Sequence, residues 1–204
     1  MPCPQHYVRQ VEARNDSSAD TKMTAAVYKP IMAVMLCGLS APAAGDPALE
    51  FTPSWEYVAD SVMGGVSAGR AEETTVDGRP AIRLTGTVST ENNGGFIQIA
   101  FDTATDSGPF DASVWQGIEI DVQGNSETYD IRLRTDQLRK PWHSYRASFR
   151  ADPDWSSVRV PFSDFEPHRT EITFDPSRLR RIGILAIGRE FQADIAVSGI
   201  RLYR

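Results

Sequence analysis

Two stretches of the sequence combine polar residues with a pair of adjacent glycines. They are DSVMGGVS at Asp60–Ser67 and STENNGGF at Ser89–Phe96. Glycine pairs in such settings cradle phosphate groups, expose a catalytic nucleophile, or let the backbone bend sharply. The first two roles would make the protein a nucleotide binder or an enzyme, whereas the third would not.

The first stretch contains a formal match to the nucleophile motif G-x-S-x-G, at Gly65–Gly69. That motif requires a strained turn that exposes the serine beside a histidine, with a helix following it. The next residues instead reach a turn at Asp77-Gly78, and beyond residue 44 only His143 and His168 remain as candidate bases. The sequence therefore predicts that the protein is not an enzyme and has no catalytic residue.

Neither glycine pair resembles a phosphate-binding loop, because neither is followed by Lys-Ser or Lys-Thr, or by a helix whose N-terminus could hold an anion. Gly64 and Gly65 are predicted to let the backbone bend or approach another strand closely. The second stretch holds four residues of types that accept a positive φ angle: Asn92, Asn93, Gly94 and Gly95. They are predicted to turn the chain between a strand ending near Val88 and one starting at Phe96.

From Leu49 onward, apolar and polar residues alternate, as they do in antiparallel strands that have one buried face. The clearest segments are GIEIDV, YDIRLRT, SYRASF, SVRVPF, RIGILAIG, DIAVSG and IRLYR. Turn-forming stretches such as VDGRP, ENNGG, QGNSE and FDPSR separate them. The sequence therefore predicts an all-β fold, an antiparallel β-sandwich or jelly roll of about ten strands.

The first 44 residues differ in character from the rest. Residues 1–22 are polar and without pattern, and they are either untranslated, with the true start at Met23, or a polar extension ahead of an export signal. Residues 23–44 contain a lysine, the apolar run Pro30–Leu39 and then small residues, the order of a secretory signal peptide. We predict cleavage near residue 44, a single domain at residues 45–204, and a periplasmic or secreted location.

The domain predicted at residues 45–204 has no cysteine, because Cys3 and Cys37 both precede it. Disulfides, thiolate nucleophiles and cysteine-based metal sites are therefore excluded from it. A lipoprotein would be acylated at Cys37, but the bulky Leu36 stands before it where a small residue is expected. With 24 acidic and 17 basic residues, a net charge of −7, the domain is a poor candidate for binding nucleic acid. The sequence also predicts no transmembrane segment after cleavage.

The glycine pairs belong to longer motifs, WEYVADSVMGGVS from Trp55 and GTVSTENNGGF from Gly86. Further motifs follow in the order GIEIDVQGN, YDIRLRT, YRASF, WSSVRVPFSDFEP and IGILAIG. With these motifs, the chain from Phe51 to Arg204 resembles the complex I intermediate-associated protein 30 family. The resemblance implies a galactose-binding-like jelly-roll domain. It also implies a non-enzymatic role, since eukaryotic members assist the assembly of respiratory complex I.

An exported protein would be on the wrong side of the membrane for that assembly role. The leading hypothesis is therefore a non-enzymatic binding or scaffolding domain whose partner is a protein or a glycan. One alternative is an assembly chaperone for respiratory NADH:ubiquinone oxidoreductase (complex I), cytoplasmic or peripheral to the membrane, if the signal is not used. The other alternative is a carbohydrate-binding module. The sequence leaves the oligomeric state open.

A candidate ligand site lies around the YDIRLRT segment. Its polar residues and those of the following loop are Arg132, Arg134, Arg139, Lys140, Trp142 and His143. Glu119 and Asp121 are predicted to lie on a neighbouring strand of the same face, where they would complete a charged surface around Trp142. The alternative is an ordinary solvated face, whose ion pairs contribute little, with Trp142 capping the sandwich edge.

The second candidate is the rim formed by the two glycine-containing motifs. Its polar residues are Asp60, Ser61, Glu91, Asn92 and Asn93. These side chains would either bind a partner or hydrogen-bond nearby backbone and each other, as Asx side chains commonly do. The residue types leave both roles open.

No cofactor or metal site is predicted. Two scattered histidines without cysteine do not suit zinc or copper. Calcium takes about six to eight oxygen ligands, and one loop offers three carboxylates, Asp102, Asp106 and Asp111. Acidic loops are also common without any metal, so these carboxylates are an alternative and not a predicted site.

Overall fold

The structure, a computed structural model, describes residues 47–103 and 108–204, so the predicted signal peptide and both cysteines lie outside the described residues. These residues form twelve strands and four 3-10 turns of three or four residues. The strands are β1 (Ala48–Glu50), β2 (Glu56–Ala59), β3 (Ala68–Val76), β4 (Arg79–Val88), β5 (Phe96–Asp102), β6 (Gly117–Gly124), β7 (Glu127–Thr135), β8 (Ser144–Ala151), β9 (Ser156–Pro161), β10 (Glu166–His168), β11 (Leu179–Ile187) and β12 (Phe191–Tyr203). Among the described residues, no helix has the length and apolar character needed to cross a membrane.

The strands form two antiparallel sheets of six strands each. The first sheet has the order β3-β4-β12-β6-β9, and β1 pairs with the end of β12. The second sheet has the order β10-β8-β7-β11-β5-β2. The predicted all-β antiparallel sandwich is therefore confirmed. Twelve strands are found instead of about ten, since β1 and β10 have only three residues each and show no alternation in the sequence.

Alternation gives each sheet one apolar face, and the two apolar faces form a shared core. Ile118 of β6 in the first sheet and Ile131 and Leu133 of β7 in the second are fully buried. Burying each such side chain contributes about 1.5–3 kcal/mol. Arg132 and Arg134 alternate with the buried residues of β7, so they lie on the outer face of the second sheet.

Glu119 and Asp121 do not share a face with Arg132 and Arg134, so that prediction was wrong. The two carboxylates lie on β6, which pairs with β9 and β12 in the first sheet, whereas β7 pairs with β8 and β11 in the second. The two-residue connection of Asn125 and Ser126 carries the chain from one sheet to the other. Alternation reveals which face of a strand is buried, but not which strand lies beside it.

Both carboxylates have partners within the first sheet. Arg201 Nη1 donates to Asp121 Oδ2 at 2.7 Å, and its Nη2 donates to Glu119 Oε1. Arg159 Nε donates to the other oxygen of Glu119. The outer face of the second sheet therefore carries its arginines without these two carboxylates.

Candidate functional site

Asp60 is a fully buried carboxylate at the centre of the two glycine-containing motifs. Its Oδ1 accepts a hydrogen bond from the backbone amide of Ser67 at 3.0 Å. Its Oδ2 accepts from the Ser67 hydroxyl at 2.5 Å and from the amides of Gly95 and Phe96 at 2.6 and 3.2 Å. One side chain from the first motif thus holds the end of the second motif in place.

The glycines make room for this carboxylate. A Cβ atom on Gly65 would lie 2.3 Å from Asp60 Cγ, and one on Gly94 would lie 2.5 Å from Asp60 Oδ2. The other glycine of each pair takes a positive φ angle, +89° at Gly64 and +128° at Gly95. Each pair therefore combines a backbone bend with a close approach to Asp60.

Asp60 remains ionised because its hydrogen bonds outweigh its burial. Burial acts to raise the pKa of the carboxyl, whereas the Ser67 hydroxyl and the amides of Gly95, Phe96 and Ser67 act to lower it, and the net shift is downward. The Ser67 hydroxyl donates to Asp60 and accepts from the Ser89 amide at 3.0 Å. Strand β3 rather than a helix follows Ser67, so the G-x-S-x-G match has neither the partner nor the context of a nucleophile.

The remaining rim candidates lie in two 3-10 turns, Asp60–Met63 and Glu91–Asn93. Ser61, Glu91 and Asn92 are exposed, and Asn92 has a positive φ angle of 55°. The first turn also presents Val62 and Met63 to solvent, with 73% and 57% of their surfaces exposed. These two apolar residues were not predicted, although exposed apolar residues inside a conspicuous polar motif are a usable signal.

A groove of about 700 Å³ lies along the outer face of the second sheet, next to these turns. One part of its lining is cationic or polar and includes Arg132, Arg134, Arg146, Arg169, Arg181, His168 and Gln98. The other part is apolar and includes Val58, Val62, Met63, Leu185, Ile187, Pro141 and Trp142. The structure thus brings together Arg132, Arg134 and Trp142 from the first predicted site with the turns of the second.

Strand register builds the cationic part. Arg132 on β7 lies directly opposite Arg146 on β8, and Arg134 lies opposite Arg181 on β11. On its other side Arg132 faces Gly183, which has no side chain. Sequence reasoning missed Arg181 as a site residue, because it follows the exposed Arg180 and precedes a continuous buried run, so its strand does not show the clear alternation seen around Arg132.

The arginines of the groove differ in their partners. Arg181 pairs with Asp102 at 2.9 Å and with Glu56 at 2.5 Å. Arg132 donates to Gln98 Oε1 at 3.3 Å and to the Pro141 carbonyl at 2.5 Å.

Two further arginines likewise bond to neutral oxygens only. Arg134 donates to the carbonyls of Leu138 and Lys140, and Arg146 Nε donates to Ser144 Oγ at 3.3 Å. In residues 47–103 and 108–204, no carboxylate is recorded within ion-pair distance of Arg132, Arg134 or Arg146.

Burial and mutual repulsion disfavour the charged form of these groups. Burial, followed by the charges of Arg134, Arg146 and Arg181, lowers the pKa of Arg132 to about 10. The Nε atoms of Arg132 and Arg134 are buried without a hydrogen-bond partner. His168 also has a lowered pKa, through burial and then the neighbouring arginines, so it is neutral at pH 7.

The loop before β8 supplies an aromatic wall. Trp142 is 45% exposed and lines the groove, with Lys140 Nζ lying 5.7 Å from its ring centroid. The His143 ring lies 6.3 Å from Trp142 but is not part of the lining. Arg139 lines a smaller depression beside the groove.

Within the described residues, no group of three His, Cys, Asp or Glu side chains is placed to hold a metal ion. Of the three loop carboxylates, Asp102 pairs with Arg181, and Asp111 accepts from the Ser113 amide at 2.9 Å. Asp106 lies outside the described residues.

Residues 47–196 match the sequence model of the complex I intermediate-associated protein 30 family. The chain belongs to this family. The predicted family is thus confirmed over most of the domain. No curated protein sequence matches the chain.

Among solved structures, the family domain is similar in fold to carbohydrate-binding modules. A family 11 module from a cellulosomal cellulase of Clostridium thermocellum has a TM-score of 0.62 at 15% identity, covering 79% of this chain and 96% of the module. The same kind of module in complex with a β-1,3-1,4-mixed-linked tetrasaccharide has a TM-score of 0.61 at 14% identity, with coverages of 76% and 95%. A family 30 module has a TM-score of 0.57 at 16% identity, with coverages of 77% and 87%. At these identities the likeness establishes the jelly-roll fold.

Proposed function

We propose that this domain is a non-enzymatic binding module that holds a glycan in the groove on the outer face of its second sheet. The observation that carries the proposal is the groove itself, about 700 Å³ in volume, whose lining includes both an exposed tryptophan and the hydrogen-bond donors of arginine, glutamine and histidine side chains. Sugar rings have apolar faces that pack on aromatic side chains and hydroxyl groups that accept from Arg, Gln and His. The shared fold with carbohydrate-binding modules supports this assignment by analogy.

A non-enzymatic role fits the polar centre of the family motifs. Asp60 and Ser67 bond to each other and to backbone groups, and both are buried. Neither is available to a substrate. Those motifs therefore serve, in this proposal, to fix the turn that carries Val62 and Met63 at one end of the groove.

A protein partner is the second candidate, because Val62 and Met63 form an exposed apolar pair on a rigidly held turn. Exposed apolar residues of this kind commonly mark protein contacts. The family description, which refers to complex I, makes an assembly partner inside the cell the specific alternative. A protein partner would also use Ser61, Glu91 and Asn92 around that turn.

Isothermal titration calorimetry tests the glycan proposal. The panel contains neutral oligosaccharides, including the β-1,3-1,4-mixed-linked tetrasaccharide, and oligosaccharides that carry carboxylate or sulfate groups. We expect at least one member to bind, and Trp142→Ala to weaken that binding by about tenfold, an effect of about 1.4 kcal/mol.

A matched pair of valine variants serves as the control. Val62→Ala lies at the groove and is expected to weaken binding about threefold, whereas Val114→Ala, 62% exposed elsewhere on the domain, should not. If no panel member binds at millimolar concentration, the glycan proposal is wrong and the protein-partner alternative takes its place.

A further inference from the structure

We propose that the groove selects acidic saccharides, those whose sugar rings carry a carboxylate or sulfate group. This inference rests on the proposed glycan-binding function and specifies the class of glycan. It is drawn from three arginines, Arg132, Arg134 and Arg146, that line the groove without carboxylate partners among the described residues.

The first argument is the contrast with the partly buried arginines outside the groove, Arg83, Arg178 and Arg201. Arg83 is bound by both oxygens of Asp194, and Arg178 by both oxygens of Asp136, at 2.7–2.8 Å. Arg201 is bound by Glu119 and Asp121. In a chain with more acidic than basic residues, carboxylates are available, yet three groove arginines do without them.

The second argument is that this arrangement is unfavourable in the unliganded fold. Arg132 and Arg146 lie directly opposite each other on neighbouring strands, and like charges in that position repel. Partial burial adds a desolvation cost that a bound anion would offset. A groove with such a local positive potential attracts anions even though the whole protein is acidic.

The third argument is the geometry of the donors. Arg146 lines the groove, and within the described residues its hydrogen bond comes from Nε, to Ser144 Oγ, so its two terminal nitrogens are not used in the fold. A guanidinium group presents two parallel N–H bonds that match the two oxygens of a carboxylate or sulfate. Arg132 lies directly opposite on β7, and its two terminal nitrogens, which donate to Gln98 and Pro141, each carry a second N–H that an anion could accept from.

The apolar wall favours a saccharide over an acidic peptide. The groove crosses the face of the sheet, and β5, β7, β8 and β11 are each paired on both sides. Their backbone groups are therefore used in the ladders, and a peptide lying across these four strands cannot bind by adding a strand to them. The Trp142 ring instead offers a flat apolar face of the kind that a sugar ring can use, and Met63 adds apolar contact.

The test compares each acidic oligosaccharide with its own uncharged form. The pairs are oligogalacturonide with its methyl ester, oligoglucuronide with its carboxyl-reduced form, and a sulfated galactan oligosaccharide with its desulfated form. The first two pairs test carboxylate and the third tests sulfate. We expect at least one acidic saccharide to bind at least about tenfold more tightly than its uncharged form. Its affinity should fall as the salt concentration is raised.

Charge-neutral variants locate the effect. Arg132→Gln and Arg146→Gln should each weaken acidic binding by about tenfold and leave binding of the uncharged form within about twofold. Arg146→Lys keeps the positive charge but loses the two parallel N–H donors of the guanidinium group. Its affinity for the acidic saccharide should therefore lie between those of the wild type and Arg146→Gln. Arg70→Gln removes the same charge on β3 of the first sheet, where the side chain is 71% exposed, and should change nothing. Thermal melting of each variant checks that it is folded.

The outcomes separate the two proposals. Equal binding of both members in every pair overturns the acidic selectivity and leaves the glycan-binding function standing. Absence of all saccharide binding overturns both. A short oligoglutamate that binds as tightly as the acidic saccharides also overturns this inference, because it would show that binding depends on negative charge and not on the sugar.

Discussion

The Asp60 carboxylate links the two family motifs through its hydrogen bonds. It is buried, ionised, and bonded to three backbone amides and one hydroxyl. We predict that Asp60→Asn lowers the free energy of unfolding by about 2–4 kcal/mol, because the amide group cannot accept from all of these donors. Urea denaturation at neutral pH measures the change.

The pH dependence of stability provides a second readout for the same variant. The pKa of Asp60 lies below its ordinary value of 3.8 in the folded state, so its ionised form stabilises the fold above that pH. This contribution is lost as the pH falls from that value through the folded pKa. The wild-type protein should therefore lose more stability on acidification than Asp60→Asn does. Glu91→Gln, which removes an exposed carboxylate nearby, should leave the acid response unchanged.

Gly65 tests why the motif contains glycine pairs. A Cβ atom at Gly65 would overlap Asp60 Cγ at 2.3 Å, whereas one at Gly108 would meet nothing within 4 Å. We predict that Gly65→Ala lowers the free energy of unfolding by about 2–3 kcal/mol and that Gly108→Ala has little effect. Denaturant melts measure both.

A double-mutant cycle assigns the cost of Gly65→Ala to Asp60. Asp60→Ala removes the two shortest contacts of the new Cβ, with Cγ at 2.3 Å and Oδ1 at 2.4 Å, and keeps the one with Cβ at 2.8 Å, so the double variant should lose less stability than the sum of the two single variants. Additive losses would show that Gly65 is required for another reason.

At the scale of strands, the pairing of β7 with β8 places Arg132 opposite Arg146. We predict that Arg146→Gln raises the free energy of unfolding by about 0.5 kcal/mol while weakening ligand binding, because it relieves the repulsion between the two arginines. The gain should shrink as salt screens the charges in the wild-type protein.

The matched control is the same arginine-to-glutamine change at Arg83, whose ion pair joins β4 to β12 in the first sheet. Arg83→Gln breaks a pair with both oxygens of Asp194, and should lower the stability by about 0.5 kcal/mol. A loss of similar size in both variants would mean that Arg146 is a structural residue, not one held for a ligand.

The strands themselves were accessible from the sequence, since β6, β7, β8, β9 and β11 each show alternation. Their neighbours in the sheets were not, because a strand pattern carries no record of its pairing. That is why Glu119 and Asp121 were assigned to the wrong sheet. The candidate site was likewise predictable only in part. Arg132, Arg134 and Trp142 were predicted as site residues from the segments of sequence in which they lie.

Other groove residues, such as Arg181, Val58 and Met63, come from other segments of the chain. They could not be assigned to the groove without the order of the strands in the sheet. The Asp60 carboxylate was noticed as part of a motif, but its burial depends on contacts 35 and 36 residues away in the chain, to Gly95 and Phe96. Nothing local in the sequence distinguishes it from an exposed rim residue.

At the scale of the whole molecule, an acidic domain carries a cationic groove on one sheet. The net charge of the domain, −7 from 24 acidic and 17 basic residues, repels anions at a distance, so a bound anion must be held by direct contacts with the arginines. Acidic polymers lie outside the cell as well as within it, and the compartment of the protein therefore decides which of them it meets.

Export is the last prediction, and it depends on residues 23–44. Val34 lies in the apolar run that would be inserted during secretion, and Val8 lies in the polar stretch before it. In the native host, cell fractionation and mass spectrometry should find a periplasmic or secreted chain that begins between Ala44 and Asp46. Val34→Arg should retain the full-length chain inside the cell, since a charge interrupts the apolar run, whereas Val8→Arg should not affect export. An uncleaved cytoplasmic chain in the wild type would contradict the export prediction and make assembly of respiratory complex I the leading function, with the groove then facing partners inside the cell.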